Sequence, residues 1–173
     1  MPRLAALIGV LASVAMSLPS SASAQRRKPT GPAAPADQIS VSIEARVAGK
    51  TYQGSGPGEC RHADEASIHG VSAALWMVQY DGSKDGSLKR LNLTLWRPKD
   101  ASPDQLSLVV ETKSGSHRIQ TGAADNNAGE GSVTILPSGP GGRLEVSGKE
   151  AEGKPLQITI ECSGFGDVAS EGG

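Results

Sequence analysis

Apolar and polar residues alternate one by one in two widely separated stretches of this chain. Ile39, Val41, Ile43 and Ala45 interleave with Ser40, Ser42, Glu44 and Arg46, while Leu156, Ile158, Ile160 and Cys162 interleave with Gln157, Thr159 and Glu161. A strand sends successive side chains to opposite faces, so this period predicts half-buried β-strands. The pattern recurs at Leu91, Leu93 and Leu95, set against Arg90, Asn92, Thr94 and Trp96, and again at Leu106, Leu108 and Val110. Shorter strands are predicted over 51–55, 73–80, 117–121, 132–136 and 143–147. Turn signals separate them, among them Ala48-Gly49-Lys50, Asp81-Gly82 and Ser138-Gly139-Pro140-Gly141-Gly142.

Eight or nine short strands and no convincing helix predict an all-β fold. The expected form is an antiparallel β-sandwich, immunoglobulin-like (Ig-like) in general architecture, with a small β-barrel as the alternative. Only five residues are aromatic, so the core must be built from Ile, Val, Leu and Ala. In 73–80, Leu75 and Met77 share one face, and Trp76, Val78 and Tyr80 share the other. Apolar side chains on both faces predict a central strand or a covered outer face. Residues 60–71 show no alternation and read as an irregular loop, with at most one helical turn over 63–67.

The chain has two cysteines, Cys60 and Cys162. By parity Cys162 lies on the buried face of the last strand, and Cys60 follows the Gly54-Ser55-Gly56-Pro57-Gly58 break. Two isolated cysteines lack zinc-site spacing, so one disulfide is expected. Its compartment is expected to be oxidising, because the N-terminus carries the features of an export signal. Arg3 precedes an apolar run from Leu4 to Leu18, and Ala22-Ser23-Ala24 is a small-residue cleavage site, so residues 1–24 read as a signal peptide. The run is too short for a comfortable membrane span of about 20 residues. A Pro/Ala-rich linker is expected over 25–37, one sandwich domain over 38–165 and a flexible tail over 166–173. The expected location is periplasmic or secreted, with no integral membrane segment after cleavage.

Charge gives no reason to expect nucleic acid as a partner. With 1–24 removed, 16 basic side chains face 18 acidic ones, a formal charge of −2, which gives no footprint for nucleic acid. Catalytic motifs are missing: there is no G-x-S-x-G elbow and no P-loop lysine. Three candidates remain. His62, Asp64, Glu65 and His69 combine imidazole and carboxylate groups that suit zinc or copper, although their spacing meets no zinc rule and polar surface is the simpler account. Asp81-Gly82-Ser83-Lys84-Asp85-Gly86 echoes the opening of a calcium loop, but its twelfth position is Asn92 instead of Glu, so a hairpin turn is expected. Tyr52, Trp76, Tyr80 and Trp96 offer an aromatic platform for a protein or glycan partner, against the plainer expectation that Trp76 and Tyr80 are core. No cofactor is expected. The sequence therefore predicts an exported, non-catalytic binding or adaptor module. An envelope structural or stress-protective protein without a discrete ligand is the alternative, and an enzyme comes last.

Overall fold

Each alternating segment forms a strand. A computed structural model of the chain describes residues 38–68, 70–122 and 128–168. The strands are β1 (Ser40–Val47), β2 (Lys50–Pro57), β3 (Glu59–Ile68), β4 (Val71–Asp81), β5 (Leu88–Pro98), β6 (Gln105–Thr112), β7 (Gly115–Gln120), β8 (Glu130–Ser138), β9 (Gly141–Lys149), β10 (Pro155–Cys162) and β11 (Gly166–Asp167). They form two packed sheets: five strands in the order β2-β1-β10-β9-β8, and six in the order β11-β3-β4-β5-β6-β7. All neighbours pair antiparallel except β11, which lies parallel to β3. The fold is a β-sandwich, with two separate sheets instead of a closed barrel. The segments read as a signal peptide (1–24) and a linker (25–37) lie outside the described residues.

Two departures from the sequence expectation matter. Residues 60–71 are not a loop: most of them belong to β3, whose ladder with β4 shifts register between Ala63 and Ala66. The two residues bulged out, Asp64 and Glu65, are charged, and a bulge accepts such residues without placing them over an apolar face. Gly166 and Asp167, expected to fray with the tail, pair with Arg61 and His62.

The core is aliphatic, as composition requires. Val41, Ile43 and Ala45 of β1 meet Leu91, Leu93 and Leu95 of β5 and Leu106, Leu108 and Val110 of β6 in one cluster, joined by Leu144, Leu156, Ile158 and Ile160. Two tyrosines close it. Gly54 is needed for this, since a Cβ there would stand 2.7 Å from the Tyr80 ring. The β1–β2 hairpin turns on Ala48 and Gly49, both with positive φ (47° and 81°), the pairing a tight two-residue hairpin requires. Cys60 and Cys162, 0% and 6% exposed, form the disulfide, which joins β3 of one sheet to β10 of the other.

Three long sheet edges are closed against strand addition. On β2, the Gln53 N–H donates to Ser87 Oγ (3.0 Å), whose hydroxyl donates back to the Gln53 carbonyl (3.1 Å). Farther along, Tyr80 donates to the Ser55 carbonyl and Pro57 has no N–H to offer. On β8, Arg97 donates to the Val133 carbonyl (3.1 Å), and Pro137 falls on the same outward-bonding parity. On β7, the Arg118 N–H donates to the Glu150 carboxylate (3.2 Å), and Gln120 exchanges backbone bonds with Ala128. Unpaired edges invite foreign strands, and side chains, prolines and loops block them here.

Candidate functional site

Residues that pair across antiparallel strands share a face. Trp76 pairs with Leu95 and His62 pairs with Trp76, so all three point into the sandwich. Leu75 pairs with Trp96 and with Ala63, and these point away from it. The two tryptophans therefore lie on opposite faces of the six-stranded sheet. Tyr80 (5% exposed) and Tyr52 (8%) belong to the core, and the Tyr52 hydroxyl hydrogen-bonds Ser114 Oγ at 2.5 Å. The four aromatics suggested as one platform are thus not brought together.

Trp76 sits instead in a row of rings at the margin of the core. The His62 ring stacks on it (centroids 4.5 Å apart, planes 12° apart), and Phe165 meets His62 edge-on at 6.2 Å. The Arg97 guanidinium lies 5.4 Å from the Trp76 ring centroid and grips Asp104 through Nε (3.0 Å) and Nη2 (2.9 Å). Both nitrogens of His62 face acceptors: Nδ1 lies 3.0 Å from the Leu75 carbonyl and Nε2 lies 3.0 Å from Asp64 Oδ1. Both ring nitrogens are thus directed at groups within the protein.

Of the candidate metal ligands, His62 and Asp64 are thus engaged with each other. Glu65, the next candidate ligand, is paired with Lys99 across to β5's end (2.5 Å). His69 lies outside the described residues. Among the described residues, no three His, Cys, Asp or Glu side chains gather to hold a metal ion. In the calcium-like stretch, Asp81 is taken by Arg90 (2.8 Å), and this hydrogen bond raises the arginine's already high pKa. The turn is closed by Gly82 N–H to Lys89 O and Gly86 N–H to Ser83 O. It is an ordinary hairpin loop.

The outward faces of the two sheets differ in kind. On the five-stranded sheet, register aligns Ser42, Glu161, Arg143 and Leu136 across four strands, then Glu44, Thr159, Glu145 and Thr134, then Arg46, Gln157, Ser147 and Ser132. That face is polar nearly throughout. On the six-stranded sheet, register aligns Ala63, Leu75 and Trp96, with Met77 and Ala73 on either side of Leu75 along β4, and Pro98 opposite Ala73. Leu75 is only 4% exposed yet is not part of the inter-sheet core, while Trp96 and Met77 are half-buried. Sequence parity foresaw Trp96 pointing outward and Leu75 sharing a face with Met77. What it could not supply was the β4–β5 register that sets Trp96 beside Leu75. No protein-family model, curated protein or solved structure matches the chain.

Proposed function

We propose that this chain is an exported, non-catalytic binding protein that holds a protein partner on the outward face of its six-stranded sheet, around Trp96. The observation that carries this is the half-buried pair Trp96 and Met77, set beside the buried Leu75, Ala73 and Pro98, on a face that a lone antiparallel sandwich would leave polar. Tryptophan at the centre of such a patch is the side chain most enriched among residues that dominate binding energy. Closed edges on β2, β7 and β8 favour docking on a face over addition of a strand. Export is supported by the targeting features of residues 1–24 and by the disulfide, since such bonds persist outside reducing compartments.

The test is capture of partners from a cell-envelope extract by the intact protein and two variants. Trp96→Glu places a charge at the centre of the apolar face, and Thr134→Glu places one on the opposite, polar face. Loss of a captured protein with Trp96→Glu, and its retention with Thr134→Glu, is the expected result once circular dichroism has shown both variants folded. Identical capture by all three proteins overturns the assignment and favours an envelope structural protein without a discrete ligand.

A further inference from the structure

The polar face opposite Trp96 is hollowed. Two adjoining grooves, of about 590 and 730 Å³, share Ser42, Ser55, Arg143 and Glu161 as common lining. Both volumes fall in the roughly 300–1,000 Å³ range of small-ligand sites, which are usually lined by apolar groups. Here the lining is mixed: one groove also meets Ile43, Tyr80 and Leu88, and the other Val41, Pro137 and Cys162. Serine and threonine hydroxyls of Ser42, Ser55 and Thr159 lie between the longer side chains, and Leu136, 46% exposed, stands at the β8 end.

The charges there are already engaged with one another. Arg143 Nη2 lies 2.6 Å from Glu161 Oε1, and a second contact runs to Glu145 at 3.8 Å. Arg143 donates this hydrogen bond to Glu161, and the bond raises the arginine's already high pKa. Glu44 is matched by Arg46 at 2.9 Å and accepts from Gln53 Nε2 at 3.3 Å. An anionic or cationic ligand would have to displace one of these partners, whereas a hydroxyl-rich neutral ligand would use them as they stand. Carboxylate oxygens accept, guanidinium and amide N–H groups donate, and the serine hydroxyls do either. The grooves cross the strands from β2 to β8, a span of roughly 20 Å at the usual inter-strand spacing. An open trench of that length fits a chain of linked units better than a single small molecule.

We infer that the outward face of the five-stranded sheet is a second binding site, one that takes a segment of uncharged polysaccharide across Ser42, Ser55, Arg143 and Glu161. Leu136 then lies where the C–H face of a terminal ring rests. Together with a protein on the Trp96 face, this makes the sandwich a bridge between a glycan and a protein, although the glycan site stands on its own observations.

Affinity electrophoresis of the full-length protein tests this. Native gels are cast with dextran, laminarin or hydroxyethylcellulose as neutral probes, and with polygalacturonate as a charged one. Retardation by at least one neutral glucan and none by polygalacturonate is expected. Ser42→Glu and Ser55→Glu each add a carboxylate to the lining shared by the two grooves and are expected to weaken retardation at least tenfold. Ser147→Glu, on the same face beyond the trench, and Trp96→Glu, on the other sheet, are expected to leave it unchanged. No retardation by any neutral glucan overturns the proposal, and so does retardation that Ser42→Glu and Ser55→Glu leave intact or that Ser147→Glu abolishes equally.

Discussion

Arg97 shows how much one side chain can join. Its planar fork holds Asp104 at two points, its Nη2 reaches the Val133 carbonyl on the other sheet, and its guanidinium borders the Trp76 ring. An exposed ion pair alone contributes about 0–1 kcal/mol, and the Arg97 and Asp104 side chains are 41% and 37% exposed, so the pair by itself is a small term. The Val133 carbonyl changes the balance, because a charged donor there adds about 1.5–3 kcal/mol. Lysine keeps the charge but has one ammonium in place of the fork, and it cannot reach both partners. Arg97→Lys is therefore expected to destabilise the fold by about 1–3 kcal/mol in urea unfolding. A loss below about 0.5 kcal/mol would mean that Arg97 acts only as a surface charge.

At the scale of elements, the edges of the sheets show similar economy. Glu150 follows β9 and is 7% exposed through its side chain, close to His117 of β7, which is 13% exposed. Its carboxylate lies 3.3 Å from His117 Nδ1 and accepts from the Arg118 N–H, so one acid covers a histidine and an open edge amide. Glu150→Ala should cost about 1–3 kcal/mol, since it removes the charged acceptor of a part-buried amide. Glu150→Gln keeps an oxygen for the Arg118 amide and should recover part of that loss. Hydrogen exchange at Arg118 is the local check: faster exchange in the alanine variant and near-normal exchange in the glutamine variant are expected, and unchanged exchange in both would refute the capping role. Sequence alone reveals nine of these strands, because β1, β5, β6 and β10 bury one face and must alternate. It hides β3, where Asp64 and Glu65 have low strand propensity and the bulge they form breaks the period. The clue available was Cys60, whose bond to a buried-face Cys162 required a residue inside the sandwich. The candidate site is legible to the same depth. Parity places Trp96 outward, but cross-strand neighbours depend on register, which one strand's sequence does not contain. Parity alone therefore leaves Tyr52 and Trp76 free to join Trp96, whereas pairing to Ala45 and Leu95 turns both inward.

For the whole molecule, the disulfide is the covalent side-chain link between the two sheets. The chain passes from the five-stranded to the six-stranded sheet at Gly58, between β2 and β3, and again between β10 and β11, where the Phe165 N–H donates to the Pro140 carbonyl. Cys60 and Cys162 lie beside these two passages, so their bond ties the sheets where the backbone already crosses. Their sequence separation is 102, which encloses most of the domain. A closed loop near that length stabilises the fold by roughly 4–5 kcal/mol by limiting the unfolded chain. A domain of ordinary stability has only about 5–15 kcal/mol in all, so this single bond decides whether the sandwich is robust or marginal. Replacing both cysteines by alanine, a substitution that leaves no stray thiol, is expected to lower the unfolding free energy by roughly 4–5 kcal/mol. The urea slope should rise at the same time, because an uncrosslinked chain exposes more surface when it unfolds. Side-chain contacts between the sheets would remain, since the aliphatic cluster around Leu93, Leu108 and Ile160 does not involve sulfur. A double variant that loses less than about 1 kcal/mol would show that this aliphatic core alone holds the two sheets together.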